Sequence, residues 1–60
     1  MDLDNKYMVG SASSGGIVIM KPPAGFLSSE EALVFAAWIV VLAETGDLNF
    51  KTIREMVESC

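Results

Sequence analysis

Histidine is missing from this chain of 60 residues, and cysteine occurs once, as Cys60. Without an imidazole there is no ordinary base to activate Ser11, Ser13, Ser14, Ser28, Ser29 or the thiol. One thiol forms no internal disulfide and cannot complete a zinc site. No basic residue adjoins Cys60 in sequence to lower its pKa, so it is a poor nucleophile. Carboxylates come in pairs at Asp2/Asp4, Glu30/Glu31 and Glu55/Glu58. Each pair has a simpler place: a leading tail, a helix start and a solvent-facing helix side. The reading is a protein that is not an enzyme and carries no metal and no cofactor.

Positive charge is scarce as well. Four Lys and Arg residues against eight Asp and Glu give a net charge of −4. Binding to a nucleic-acid polymer rests on Lys and Arg neutralising phosphates, and an anionic membrane surface makes the same demand. Neither partner is expected. A long apolar run is also lacking. Ala32 to Ala43 carries no charge, but Glu30, Glu31 and Glu44 close it at both ends. As a helix it spans about 18 Å, against a hydrocarbon core of about 30 Å. The opening Met-Asp-Leu-Asp-Asn has neither the basic start nor the apolar run of a secretory signal. A cytoplasmic location is the expectation.

What is present makes one domain over 1–60, with 1–5 as a flexible tail. Lys6 to Ala12 is rich in β-formers and predicts a first strand. The Gly15-Gly16 pair permits the positive φ angles of a hairpin turn, and Ile17 to Met20 is a compact β-branched second strand. Pro22-Pro23 ends it, since two prolines donate no backbone hydrogen bond. Phe26 and Leu27 are expected to anchor the following loop to the core. Ser28 with Glu31 three residues on matches a capping box, predicting a helix from about Ser29 to Glu44 with Gly46 as its left-handed exit. Asn49 is the expected cap of a second helix, with Leu48 and Ile53 placed as a hydrophobic staple. In that helix Phe50, Ile53, Met56 and Val57 share one face, and Lys51, Arg54, Glu55 and Glu58 occupy the other. The fold class is α+β: an N-terminal β-hairpin, a buried apolar helix and a short amphipathic helix.

The first helix is apolar around its whole circumference, and such a helix is a buried one. One hairpin and one short helix cannot wrap it. A chain of this length buries only about 60% of the surface its unfolded form exposes, and such domains need disulfides, a metal or a partner subunit. With the first two excluded, a homo-oligomer through the 32–43 helix is expected.

Gly10 to Gly16 superficially resembles a phosphate-binding loop. Lys and Ser/Thr are missing after its last glycine, and strands rather than a strand and a helix flank it. It reads as a hairpin turn. Tyr7, Phe26, Trp38 and Phe50 offer stacking surface, with core packing as the simpler role for all but Tyr7. Lys6, Lys21, Lys51 and Arg54 are the cations available to an anion.

The segment from Lys21 to Ala43, with its Pro-Pro-Ala-Gly turn, Ser-Ser-Glu-Glu-Ala-Leu helix start and Ala-Ala-Trp-Ile-Val core, resembles short accessory proteins of tailed-phage genomes. The similarity covers about a third of the chain, and the Gly-Ser hairpin departs from it. Its elements are structural and carry no functional residue across. What the resemblance implies is a counter-defence factor in the host cytoplasm, a symmetric oligomer that sequesters a small nucleotide-like immune signal without cleaving it. Tyr7, Gly10, Ser11, Ser13 and Lys21 are the residues expected on the rim of such a pocket. The alternative is a protein–protein interaction module that inhibits a host protein through the acidic side of the second helix.

Overall fold

The computed structural model describes residues 1–45 and 49–60. Two short strands, β1 (Val9–Ser11) and β2 (Ile17–Ile19), are followed by two helices, α1 (Ser29–Ala43) and α2 (Phe50–Glu58). This is the expected α+β order.

The strands pair antiparallel with Val9 opposite Ile19, Gly10 opposite Val18 and Ser11 opposite Ile17. The turn closes where Gly15 N–H donates to Ala12 O at 3.0 Å, and Gly15 itself has φ 101°. A side chain there is strained, which is why glycine stands at this point. β1 is shorter than the Lys6–Ala12 segment predicted. Met8 sits at φ 52°, in the left-handed region, and ends strand geometry on its N-terminal side. The cause is Asn5. Its side chain donates to Val9 O and accepts from Val9 N–H, both at 2.9 Å, folding residues 5–9 into a local turn. Side-chain amides of Asn compete with sheet ladders in this way. Backbone bonds still reach back along the hairpin, from Met20 N–H to Met8 O at 3.2 Å and from Lys21 N–H to Tyr7 O at 3.0 Å.

α1 opens with the predicted capping box. Ser28 Oγ accepts from Glu31 N–H at 3.1 Å, and Glu31 Oε1 accepts from Ser28 N–H at 3.3 Å. Glu44 ends the helix in extended geometry, its N–H donating to Val40 O at 3.0 Å. The predicted exit at Gly46 and the staple residue Leu48 lie outside the described residues. α2 begins at the expected cap, with Asn49 Oδ1 accepting from Lys51 N–H at 2.8 Å. Glu44 adds to it: Oε2 accepts from Phe50 N–H at 2.9 Å, placing a carboxylate at the positive end of α2.

The Phe35 and Trp38 side of α1 faces the N-terminal segment, where Phe35 meets the Tyr7 ring and Trp38 bonds to Leu3 O. Val9 is the one buried apolar residue among those described, and no residue of α1 is buried in the single chain. The all-round burial expected of α1 is therefore not met by one chain. Leu33 and Val41 remain 72% and 73% exposed. Phe26, expected to anchor its loop, stands 88% exposed just after a left-handed turn at Gly25 (φ 77°), and only Leu27 of that pair is half-buried.

The chain exposes 4881 Å². A folded monomer of 6.4 kDa is expected to expose roughly 3,800 Å². The excess is about 1,100 Å², and the exposed large apolar side chains include Leu33 and Val41 of α1 and Met56 and Val57 of α2.

Removing the cap by Ser28→Ala is predicted to cost about 1 kcal/mol, or a fall in Tm of about 4–8 °C, measurable by thermal or urea denaturation. Bonds from Ser28 backbone and side chain, with a smaller share from Lys6, hold the Glu31 carboxyl below its ordinary 4.5. A depressed folded value means the box stabilises fully above that ordinary value and is lost as pH falls through the folded one. Glu31→Gln should flatten stability against pH in that acidic window. A variant curve parallel to the wild type there would contradict the assignment.

Candidate functional site

The N-terminal segment and α1 build a concavity between them. Trp38 is the only hydrogen-bonding side chain within the 32–43 run, and its Nε1–H donates to Leu3 O at 2.9 Å. A half-buried indole needs such a partner. This bond draws residues 1–5, expected as a tail, against α1. Asp2 Oδ1 accepts from Asp4 N–H at 3.0 Å, and Lys6 N–H donates to Asp4 O at 2.9 Å. Lys6 Nζ then lies 3.7 Å from Asp2 Oδ2 and 3.9 Å from Glu31 Oε2, linking the segment to the first turn of α1. The ring of Tyr7 meets that of Phe35 edge-on, with centroids 4.9 Å apart and planes at 65°.

Between the segment and the helix lies a cleft of about 230 Å³. Tyr7, Phe35 and Trp38 give it aromatic walls, while Asp2, Asp4, Glu30 and Glu31 ring it with carboxylates against Lys6 alone. Four negative groups and one positive make it hostile to a phosphate. A neutral or cationic group suits it better, and aromatic faces attract cations.

The five residues expected on a pocket rim are divided by this geometry. Tyr7 lines the cleft and is half-buried. Lys21 is its backbone neighbour across the open end of the hairpin, with an exposed side chain that does not line the cleft. Gly10 and Ser11 are in β1 and Ser13 is in the turn beyond, so all three lie toward the closed end of the hairpin. One chain thus brings Tyr7 and Lys21 together and leaves Gly10, Ser11 and Ser13 apart from them.

Two apolar grooves flank the other sides of α1. One, of about 400 Å³, is lined by Met1, Leu3, Leu33, Ala37 and Val41 with the edges of Val34 and Trp38. The other, of about 290 Å³, lies where Ala36, Ile39, Val40 and Ala43 meet Phe50 and Ile53 of α2. Among the described residues no group of three or more Cys, Asp and Glu is placed to hold a metal ion, and no helix is long and apolar enough to cross a membrane. Cys60 is exposed, its thiol 3.4 Å from Met56 O.

Sequence reasoning missed the part played by Asn5, Leu3 and Lys6. The signals were present: a lone indole in an apolar run must find an acceptor, and an Asn before a β-rich stretch readily forms a turn. Asn5→Ala removes both bonds to Val9 and leaves that buried residue's N–H and C=O without them. A loss of about 1–3 kcal/mol in denaturation is predicted, together with a change in Trp38 fluorescence as the segment detaches. Unchanged emission and stability would show that the segment is not held by Asn5.

No protein-family model, curated protein or solved structure matches this chain.

Proposed function

We propose that this is a small non-enzymatic protein that works as a homo-oligomer and sequesters a small nucleotide-like signal, as a phage-type counter-defence factor in the host cytoplasm. The observation that carries the self-association is the uncovered apolar surface of α1, with Leu33 and Val41 almost three-quarters exposed. Contiguous apolar patches of this kind mark interaction surfaces. The sequestering role comes from the resemblance to short tailed-phage proteins.

Tyr7 and Lys21 are the pair on which a nucleotide-like ligand is placed in this reading. They are joined by the Lys21 N–H to Tyr7 O bond at 3.0 Å, one offering an aromatic ring and the other an exposed ammonium. The carboxylate ring of the adjacent cleft keeps the anionic end of the ligand on the Lys21 side. Gly10, Ser11 and Ser13 contribute from a neighbouring subunit, since they lie away from Tyr7 in their own chain.

Protein incubated with cyclic dinucleotides and with ADP-ribose derivatives, washed and heat-denatured, should release one of them intact. Lys21→Glu should weaken that binding by about tenfold or more, the loss of one charge-assisted contact. If no compound raises the melting temperature or is recovered, the sequestering role is wrong.

The alternative, a module that inhibits a host protein, draws on the exposed acidic side of α2. Glu55 is exposed there, as is Glu58, which pairs with Arg54 at 3.8 Å. Co-purification of one host protein, abolished by Glu55→Lys with Glu58→Lys, would favour this alternative.

A further inference from the structure

The hydrogen-bond phase of the hairpin decides which backbone groups face outward. Ala12 N–H donates to Gly16 O at 2.8 Å and Met20 N–H to Met8 O at 3.2 Å, with Gly10 opposite Val18 between them. Bonded and non-bonded pairs alternate along an antiparallel ladder, so Gly10 and Val18 exchange the inner bonds. The backbone groups of Val9 and Ser11 therefore point out of the β1 edge, and those of Ile17 and Ile19 out of the β2 edge.

The two edges differ. On β1, the Asn5 amide takes both outer groups of Val9, donating to its O and accepting from its N–H, each at 2.9 Å. It stands where a further strand would bind. On β2, the outward groups of Ile17 and Ile19 have no partner among the described residues. Natural sheet edges are blunted by charges, prolines or bulges. Gly16 to Met20 carries no charge and no proline, and its pairing with β1 is regular. A two-stranded ribbon is marginal by itself and gains independent stability from further strands. Side-chain alternation sets Val18 and Met20 on one face, 42% and 67% exposed. Val9, Ile17 and Ile19 share the other, where Val9 is buried and both isoleucines are half-buried.

We propose that β2 of a second copy pairs antiparallel with β2 along this free edge, about a two-fold axis at Val18, joining the two hairpins into one four-stranded sheet. In that register Ile17 of each copy exchanges N–H and C=O bonds with Ile19 of the other, and Val18 lies opposite Val18. The edge fits its own copy. Both copies offer the same donors and acceptors at the same spacing, and β-branched side chains meet on both faces. No charge meets its like, because the two Lys21 residues fall at opposite ends of the pairing. With Val9 taken by Asn5, β1 has only Ser11 left to offer a further strand. Head-to-tail addition of β2 to β1, which would continue into a fibre, is thereby blocked, and contact between identical edges closes the assembly at two. The same register sets Gly16 of the second copy opposite Met20 and carries its serine–glycine turn toward Lys21. This pairing rests on the self-associating reading above and gives that association a contact outside α1.

Cross-linking of the full chain tests it. In a Cys60→Ser background, Val18→Cys should form a disulfide with its own copy under mild oxidation. Residues facing each other in a non-bonded pair have Cα atoms about 4.5 Å apart, within disulfide reach. Ser14→Cys, exposed in the turn, should give severalfold less dimer. Val18→Lys and Val18→Glu should each weaken self-association about tenfold, since like charges then meet on the axis. An equal mixture of the two should restore it as a heterodimer, with circular dichroism confirming that each variant folds. A mixture that associates no better than either variant alone would overturn the register. Val18→Cys giving no more dimer than Ser14→Cys, in a sample that sediments as an oligomer, would overturn the pairing and leave self-association standing. Wild-type chain that sediments as a monomer would overturn both and leave the edge to a strand of another protein.

Discussion

The constraint on which this structure depends is the mismatch between α1 and what surrounds it. A fifteen-residue helix with an apolar run from Ala32 to Ala43 is set against a hairpin whose strands are three residues each. The N-terminal segment covers the Phe35–Trp38 side, α2 borders the C-terminal half, and the Leu33–Ala37–Val41 ridge is left to water. Burial of apolar surface is the main favourable term in folding, at about 25 cal/mol per Å². A chain in which Val9 alone reaches the interior among the described residues leaves much of that term unused.

Polar bonds arrange the little packing there is. Asn5 turns the chain by binding both backbone groups of Val9, which presents Tyr7 to Phe35. Trp38 then fixes Leu3, and Lys6 bridges Asp2 to the capping glutamate, Glu31. The same contacts make the cleft, and they decide its charge. Because Asp2, Asp4, Glu30 and Glu31 line it against Lys6 alone, the cleft repels an anion.

The helices were legible from sequence because their signals are local. Ser28 with Glu31 marks one start and Asn49 another, and both caps form the predicted bonds. The hairpin was legible for the same reason, from a β-branched run beside Gly15-Gly16. Contacts between distant residues were not. The Trp38–Leu3 bond spans 35 positions, and nothing in residues 1–5 announces it. The expected rim joined Tyr7 and Lys21 to residues of the 10–16 loop, and only the pairing along the hairpin says which of these are neighbours. Tyr7 and Lys21 become neighbours through hairpin pairing, whereas Gly10, Ser11 and Ser13 are carried along the ribbon away from them. Phe26 was misplaced because hydrophobicity alone does not say which way a chain leaves a left-handed glycine turn.

The claim at the centre is that one chain is an incomplete folding unit whose apolar helix needs a second copy. Melting temperature against protein concentration tests it most directly, because only folding coupled to association depends on concentration. A rise of roughly 3–6 °C per tenfold increase is predicted for a dimer of chains this small. A melting temperature that stays constant across the micromolar range, in a fully folded sample, would contradict it.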